Sequence, residues 1–208
     1  MKRFRITIIA ICLLVGWLGY SDITVLLRNP EPLVVSIFDL ETTGAPREWL
    51  TVNDGYQDLL QGINMSGTME VGSFLIPLKS SPESNNIRVW FETRAPEIIE
   101  TLKTYYFILD TEKQRQDFQV KNQQFFSAQR QLTGMVTGNL VANSNQKKLT
   151  QLLQKMDIPV AENTIFISED KQPVLWRGIF FAGIALIGLI KVGLSFRETS
   201  RRLSDYTD

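Results

Sequence analysis

The sequence predicts an α+β domain flanked by two transmembrane helices. Three observations predict it. Two apolar runs lie near the ends, at residues 6–20 and 174–196. Between them, short β-branched runs bounded by turn residues come first and helical patterns come later. Basic residues gather at the ends, with Lys2, Arg3 and Arg5 before the first run and Arg177, Lys191, Arg197, Arg201 and Arg202 in or after the second.

The first run reads ITIIAICLLVGWLGY, with Trp17 and Tyr20 at its outer end. It is short for a bilayer that needs about 20 residues. The chain turns apolar again at Ile23, so a helix over 6–27 reaches spanning length with Asp22 near the outer interface. A cleaved signal peptide is the competing reading, since a basic start and a short apolar stretch fit one. In the second run, Arg177 and Lys191 sit near the two ends, where long basic side chains reach the headgroups. A buried soluble helix is the alternative there. Gly178, Ala182, Ala185 and Gly188 fall close to one side. Small residues at such spacing let another helix approach. The partner expected is the first helix, a second copy or another protein.

Orientation follows from the flanks. Basic ends are retained inside, so both termini are expected in the cytoplasm, with residues 28–173 outside it. The bacterial inner membrane and the periplasm are the expected compartments. The tail, 197–208, is too short for a catalytic or signalling module. The whole chain carries 22 basic and 22 acidic residues. Residues 28–173 hold 14 basic against 18 acidic, a net −4. That balance argues against nucleic acid, whose phosphates need clustered Lys and Arg. Cys12 is the one cysteine, so no intramolecular disulfide forms, and there is no histidine. Every His-containing triad and the commonest metal ligand are therefore excluded.

Along the domain, Asn29-Pro30-Glu31-Pro32 is a stiff exit. Residues 33–38 read as a strand that Thr42-Thr43-Gly44-Ala45-Pro46 ends. Trp49-Leu50-Thr51-Val52 is a second strand, and Asn53-Asp54-Gly55 has turn chemistry. Residues 56–63 read equally as strand or short helical turn. Residues 72–78 form a strand whose Pro77 argues for an edge or an end. Residues 87–93 form the clearest strand, with Ile87, Val89 and Phe91 on one face and Trp90 on the other, needing cover. Pro96 opens a helix expected to reach about Phe107. The Gln-rich stretch 112–131 is either a surface helix or a long excursion. Residues 132–140 read as a strand with glycine breaks. Asn143-Ser144 caps a helix whose Leu149, Leu152, Leu153 and Met156 share a face. Residues 163–168 are the last strand.

Carboxylates recur as Asp39/Glu41, Asp54/Asp58, Glu97/Glu100 and Glu169/Asp170. Two carboxylates can do acid–base work, but these fall on turns and helix starts, where acids serve structure. No calcium loop, phosphate loop or nucleophile elbow is present. Asn64-Met65-Ser66 matches a glycosylation acceptor. Tyr105, Tyr106, Phe107, Phe125 and Phe126 are expected in the core rather than in an exposed patch.

The NPEP exit, Trp49 to Val52, the FLIPL strand at 74–78 and the closing 158–173 stretch together resemble uncharacterised bacterial two-pass membrane proteins. The strand-turn pattern around residues 49–63 also looks like an OB-type small barrel, which implies an OB-like core with inserted helices. The helix–domain–helix plan is similar to that of the SURF1 family of oxidase assembly factors. It is similar too to the membrane-flanked domain of a mitochondrial ubiquitin ligase, although a ligase RING needs Cys and His that this chain lacks. No functional residue carries over from either.

The expected function is a non-enzymatic, membrane-anchored interaction or assembly protein acting through its outer domain, with no cofactor and no metal. Its expected partners are membrane lipid and another membrane or envelope protein, or a second copy. The alternatives are a membrane-anchored hydrolase or transferase using paired carboxylates and a ligand-sensing envelope domain.

Overall fold

The computed structural model describes residues 2–65, 72–85, 87–136 and 163–204, with side chains described for 6–65, 72–85, 87–136 and 163–196. In chain order the elements are α1 (Lys2–Arg28), β1 (Leu33–Ser36), α2 (Ile37–Thr43), β2 (Trp49–Gln57), β3 (Ile63–Asn64), β4 (Phe74–Lys79), β5 (Val89–Thr93), α3 (Pro96–Lys103), α4 (Glu112–Lys121), α5 (Gln123–Phe126), β6 (Gln129–Val136), β7 (Ile165–Glu169) and α6 (Leu175–Ser204). They fall into two compact units. One is Met1–Pro30 with Pro173–Asp208, and the other is Glu31–Gln172.

The first unit is a pair of helices. Both are long and apolar enough to cross a membrane, over Ile6–Arg28 and Leu175–Phe196. Helix α1 runs unbroken through Asp22, and α6 continues past Phe196 to Ser204.

The second unit is built on a closed five-stranded barrel. β2 pairs with β6, β6 with β7, β5 with β4, and β4 back with β2, all antiparallel, while β7 and β5 run parallel. β1 adds to β2 in parallel, and β3 adds to β4. Side chains alternate across a strand. One set, including Leu50, Val52, Ile76, Leu78, Val89, Phe91, Leu132 and Ile167, forms the main core, and α3 adds Ile98 and Leu102. The other set puts Leu75, Trp90 and Phe166 with Ile63 in a second buried cluster. Trp90 thus has the cover it requires, at 1% exposure.

Several sequence expectations need correction. The first strand stops at Ser36 rather than residue 38 because Ser36 caps α2. Its Oγ accepts from the Asp39 N–H and donates to Asp39 Oδ2. An N-cap hydroxyl ends extended backbone locally and overrides the β-branched content. Asn53-Asp54-Gly55 is a bulge inside β2, not a turn between strands. Asp54 takes φ 60° there, and a Cβ on Gly55 would lie 2.6 Å from Leu78 Cγ. The bulge bends β2, so one strand serves β1 and β6 first and then reaches β4. Pro77 is neither at an edge nor at an end, since it faces Trp90 inside β4. Its missing N–H costs nothing, because it lies between the stretch of β4 paired with β3 and the stretch paired with β2. Its carbonyl accepts from the Asp58 N–H at 3.1 Å. Ile87 precedes β5 and packs on the Trp90 cluster, away from Val89 and Phe91.

The helix opened by Pro96 ends at Lys103 and continues as a π-turn over Thr104–Ile108. The Gln-rich stretch resolves into α4, α5 and the start of β6. Residues 137–140 and the helix expected after Asn143 lie outside the described residues, as does Ser66 of the glycosylation match.

Candidate functional site

Within the helix pair, α1 contributes Cys12, Gly16, Gly19 and Asp22, spaced three and four apart on one face. The four small residues singled out on α6 meet that face. A Cβ built on Gly16 would lie 3.3 Å from Ala185 Cβ. One on Gly19 would lie 2.6 Å from Ala182 N and 2.8 Å from Gly178 O. One on Gly178 would lie 2.9 Å from Ile23 Cγ1, and one on Gly188 would collide with Cys12 Sγ. Partners descend along α6 as they climb along α1, so the helices are antiparallel. Near the end of the seam, Arg177 grips Asp22 with two bonds, Nε to Oδ2 at 2.7 Å and NH2 to Oδ1 at 2.8 Å. Gly183 and Gly193 meet nothing, so glycine alone does not mark the seam.

In the barrel unit, the carboxylates that were weighed as catalytic pairs do not converge. Asp39 belongs to the α2 cap, and its neighbour Glu41 is buried at 6% exposure. Asp54 accepts from Gln129 Nε2 at 3.2 Å. Asp58 Oδ2 accepts from Lys79 Nζ at 2.6 Å and from Gln61 Nε2 at 2.8 Å. Glu97 lies in the first turn of α3, where an acid favours the helix dipole. Glu169 is ion-paired with Arg130, whose guanidinium also donates to Gln57 Oε1 at 3.1 Å and lies 5.2 Å from the Phe91 ring centre. Gln57 Nε2 donates in turn to the Phe125 carbonyl at 2.7 Å. Except for Glu41, whose buried Oε1 has no hydrogen-bond partner among the described residues, each of these acids is matched to a cation, an amide or a helix start, which is structural chemistry. Ser168 Oγ accepts from Lys171 Nζ at 3.2 Å and donates to Glu92 Oε2 at 3.5 Å, the limit of a hydrogen bond and too long for a carboxylate that draws off the proton. Among the described residues, no three acids, cysteines or histidines gather to hold a metal.

A cleft of about 260 Å³ opens beside the Asp58–Lys79 pair, lined also by Tyr56, Gln119, Gln123 and Phe126. Its one cation and one acid neutralise each other, leaving amides and aromatic rings as its chemistry. Behind it, Tyr106 donates its hydroxyl to the Leu60 carbonyl at 2.7 Å. Burial, then the neighbouring Tyr105 and Asp58, push the Tyr106 phenol up to about 12. The aromatic residues expected in the core divide. Phe126 is buried, Tyr105, Tyr106 and Phe125 pack partly against the core, and Phe107 is 44% exposed.

A further surface feature lies at the margin of the sheet. Among the described residues β1 pairs with β2 alone, leaving its outer edge open. Val34 on that strand is 60% exposed, and Phe38 at the start of α2 is 64% exposed.

No known protein family, no characterised protein and no solved structure matches this chain. Its reading rests on its own geometry.

Two features escaped sequence reasoning. The Asp22–Arg177 pair was legible as two charges in apolar runs, each taken separately as an interface residue. The Arg130–Glu169–Gln57 network gave no local signal, because its members lie 39 and 73 residues from Arg130.

Proposed function

We propose that this is a non-enzymatic, membrane-anchored interaction or assembly protein that works through its barrel domain. The observation that carries the reading is the exposure of Val34 and Phe38 beside the edge of β1, which among the described residues pairs with β2 alone. Natural sheets blunt such edges or cover them, and an open one adds a partner's strand by main-chain hydrogen bonds. The separation of the acids, with Asp54, Asp58 and Glu169 each held by its own amide or cation, weighs against a carboxylate hydrolase or transferase. The partner class is another envelope protein.

In this reading both apolar helices cross the bacterial inner membrane. Their antiparallel pairing supports placing both termini on one side, and the flanking basic residues favour the cytoplasm. Residues 28–173 are then periplasmic. The barrel is of the OB type. In chain order its five strands, β2, β4, β5, β6 and β7, close as first–second–third–fifth–fourth–first, with the third and fifth parallel and helices inserted between the third and fourth. The face of an OB barrel that stacks nucleic acid lies on its second and third strands. Here Leu75 and Trp90 on β4 and β5 are buried, and the domain is acidic, so the partner is not a nucleic acid.

A photo-crosslinking residue at Phe38 tests the proposal. It is expected to trap one envelope protein in stoichiometric yield, while the same residue at the exposed Gln116 traps none. Phe38→Asp is expected to abolish co-purification in mild detergent and leave membrane fractionation unchanged. Equal trapping at both positions, or none at Phe38, overturns it. Protease protection of the domain in right-side-out vesicles overturns the orientation.

The cleft beside Asp58 favours one second reading, a ligand-sensing domain, since pockets of mixed apolar and polar lining bind small molecules. Binding of a small molecule that Gln123→Ala abolishes, together with unchanged behaviour of Phe38→Asp, selects it.

A further inference from the structure

We infer that α1 is a permanent intramolecular partner of α6, and that the Asp22–Arg177 pair sets the register in which they lock. The N-terminal apolar segment therefore remains on the working protein as half of a helix hairpin and is not shed as a leader. The inference rests on the reading that both helices lie in a membrane.

The argument begins with charge. An ionised side chain within an apolar span is costly unless it is paired, hydrated or within reach of the headgroups. Asp22 lies within α1 and Arg177 in the first turn of α6, and each alone burdens its helix. Together they form a two-bond carboxylate–guanidinium fork at 2.7 and 2.8 Å, the geometry in which that pairing is strongest.

Packing gives an independent reason. Without a hydrophobic drive in lipid, helices associate through close backbone approach and specific polar bonds. At Gly19 the atoms in the way of a side chain are the backbone N of Ala182 and O of Gly178, which cannot swing aside. Glycine on both helices at this crossing is what the approach requires. Ala185, Val192 and Cys12 are all buried, at 4%, 7% and 7% exposure. The outward residues Leu13, Leu14, Trp17, Leu186 and Ile187 are each at least 60% exposed and suit lipid. The small-residue stripe of α6 is thus occupied from within its own chain. A second copy or another protein on that stripe would have to displace α1 and leave two unpaired charges.

The experiment uses the full chain in native membranes, with Cys12→Ala, Gly16→Cys and Ala185→Cys combined. The Cβ positions of 16 and 185 lie 3.3 Å apart, close to the spacing a disulfide spans. Mild oxidation is expected to give a cross-linked monomer in at least about tenfold higher yield than a control pairing Gly16→Cys with Gly183→Cys, since Gly183 faces open space. Asp22→Arg alone is expected to lower that yield severalfold, and adding Arg177→Asp to restore it. The intact mass of the unsubstituted purified chain is expected to include residues 6–28. A cross-linked dimer in place of the monomer overturns the inference, as does a mature chain lacking that segment. Alkaline carbonate extraction is run first. A chain that it releases overturns the membrane reading itself, whereas a retained chain without the cross-link overturns only the pairing.

Discussion

At the scale of single residues, the most consequential group is the Arg130–Glu169 ion pair. The Glu169 side chain is 8% exposed and Arg130 22%. Removing one member of such a pair strands a charge in a low-dielectric site, which costs about 3–5 kcal/mol. Arg130→Met is therefore expected to lower the thermal midpoint of the barrel sharply. Arg130→Met with Glu169→Leu should recover most of the loss, because two apolar side chains leave no unpaired ion. Near-UV circular dichroism of the purified protein reads both, and equal losses in the single and double variants would contradict the argument. A milder case is Tyr106. Its phenol ionises near 12 in the fold against 10 when exposed. The native state then holds the proton over a pH range where the unfolded chain has released it, so stability falls as pH rises from 10 towards 12. That contribution is complete below pH 10. Tyr106→Phe should cost about 1 kcal/mol at neutral pH through the lost bond to the Leu60 carbonyl. It should also flatten the alkaline decline, which a pH series of unfolding curves measures.

Elements differ in how firmly the domain holds them. Helix α4 has no fully buried residue and touches the core through Phe118. Its start is instead held by a capping box, in which Thr111 Oγ1 accepts from Gln114 N–H and Gln114 Oε1 from Thr111 N–H. Thr111→Ala should therefore weaken α4 by about 1 kcal/mol. Its amides should exchange faster, while the global unfolding midpoint barely moves. Strand β6 is the opposite case. A Cβ on Gly134 would drive into the Ser168 carbonyl on β7, and backbone cannot yield there. Gly134→Ala should open the β6–β7 seam and destabilise the whole barrel, a loss visible in the same exchange experiment as protection vanishing from both strands. This contrast also marks what a sequence makes legible. Strands with β-branched and aromatic runs, such as β5 and β7, declare themselves locally. So did the Gly178–Ala182–Ala185–Gly188 stripe, whose spacing is a helix property. The bulge at Asp54, the interior place of Pro77 and the termination of β1 by Ser36 depend on which strand lies opposite or on one side-chain bond. The first two are set by closure of the barrel and are invisible in a single strand's pattern, whereas the Ser36 cap is a local bond from the Asp39 N–H that competes with β-branched content.

At the scale of the whole molecule, the two units rest on different forces. The barrel is held by burial of apolar side chains from water, a term that denaturant weakens. The helix pair relies on close packing and a bidentate ion pair, and its outward faces are apolar and exposed, so detergent or lipid solvates them. Urea should accordingly unfold the chain in two separated steps in nonionic detergent, with the barrel first. The four tryptophans divide evenly between the units and allow the steps to be read apart. Trp49 and Trp90 belong to the barrel, and Trp17 and Trp176 to the helices. Trp90 is 1% exposed, whereas Trp17 and Trp176 are 63% and 70% exposed. In a Trp17→Phe/Trp176→Phe variant, emission should shift to the red in the first step while far-ultraviolet helicity persists. In a Trp49→Phe/Trp90→Phe variant, emission should hold until the second. The charge pair gives the last discriminating step. Arg177→Leu should move only the second transition, because Asp22 is its partner and lies in the same unit. A single transition reported by both variants would instead mean that barrel and hairpin fold as one cooperative body. The Arg130 and Arg177 substitutions would then each displace the same midpoint.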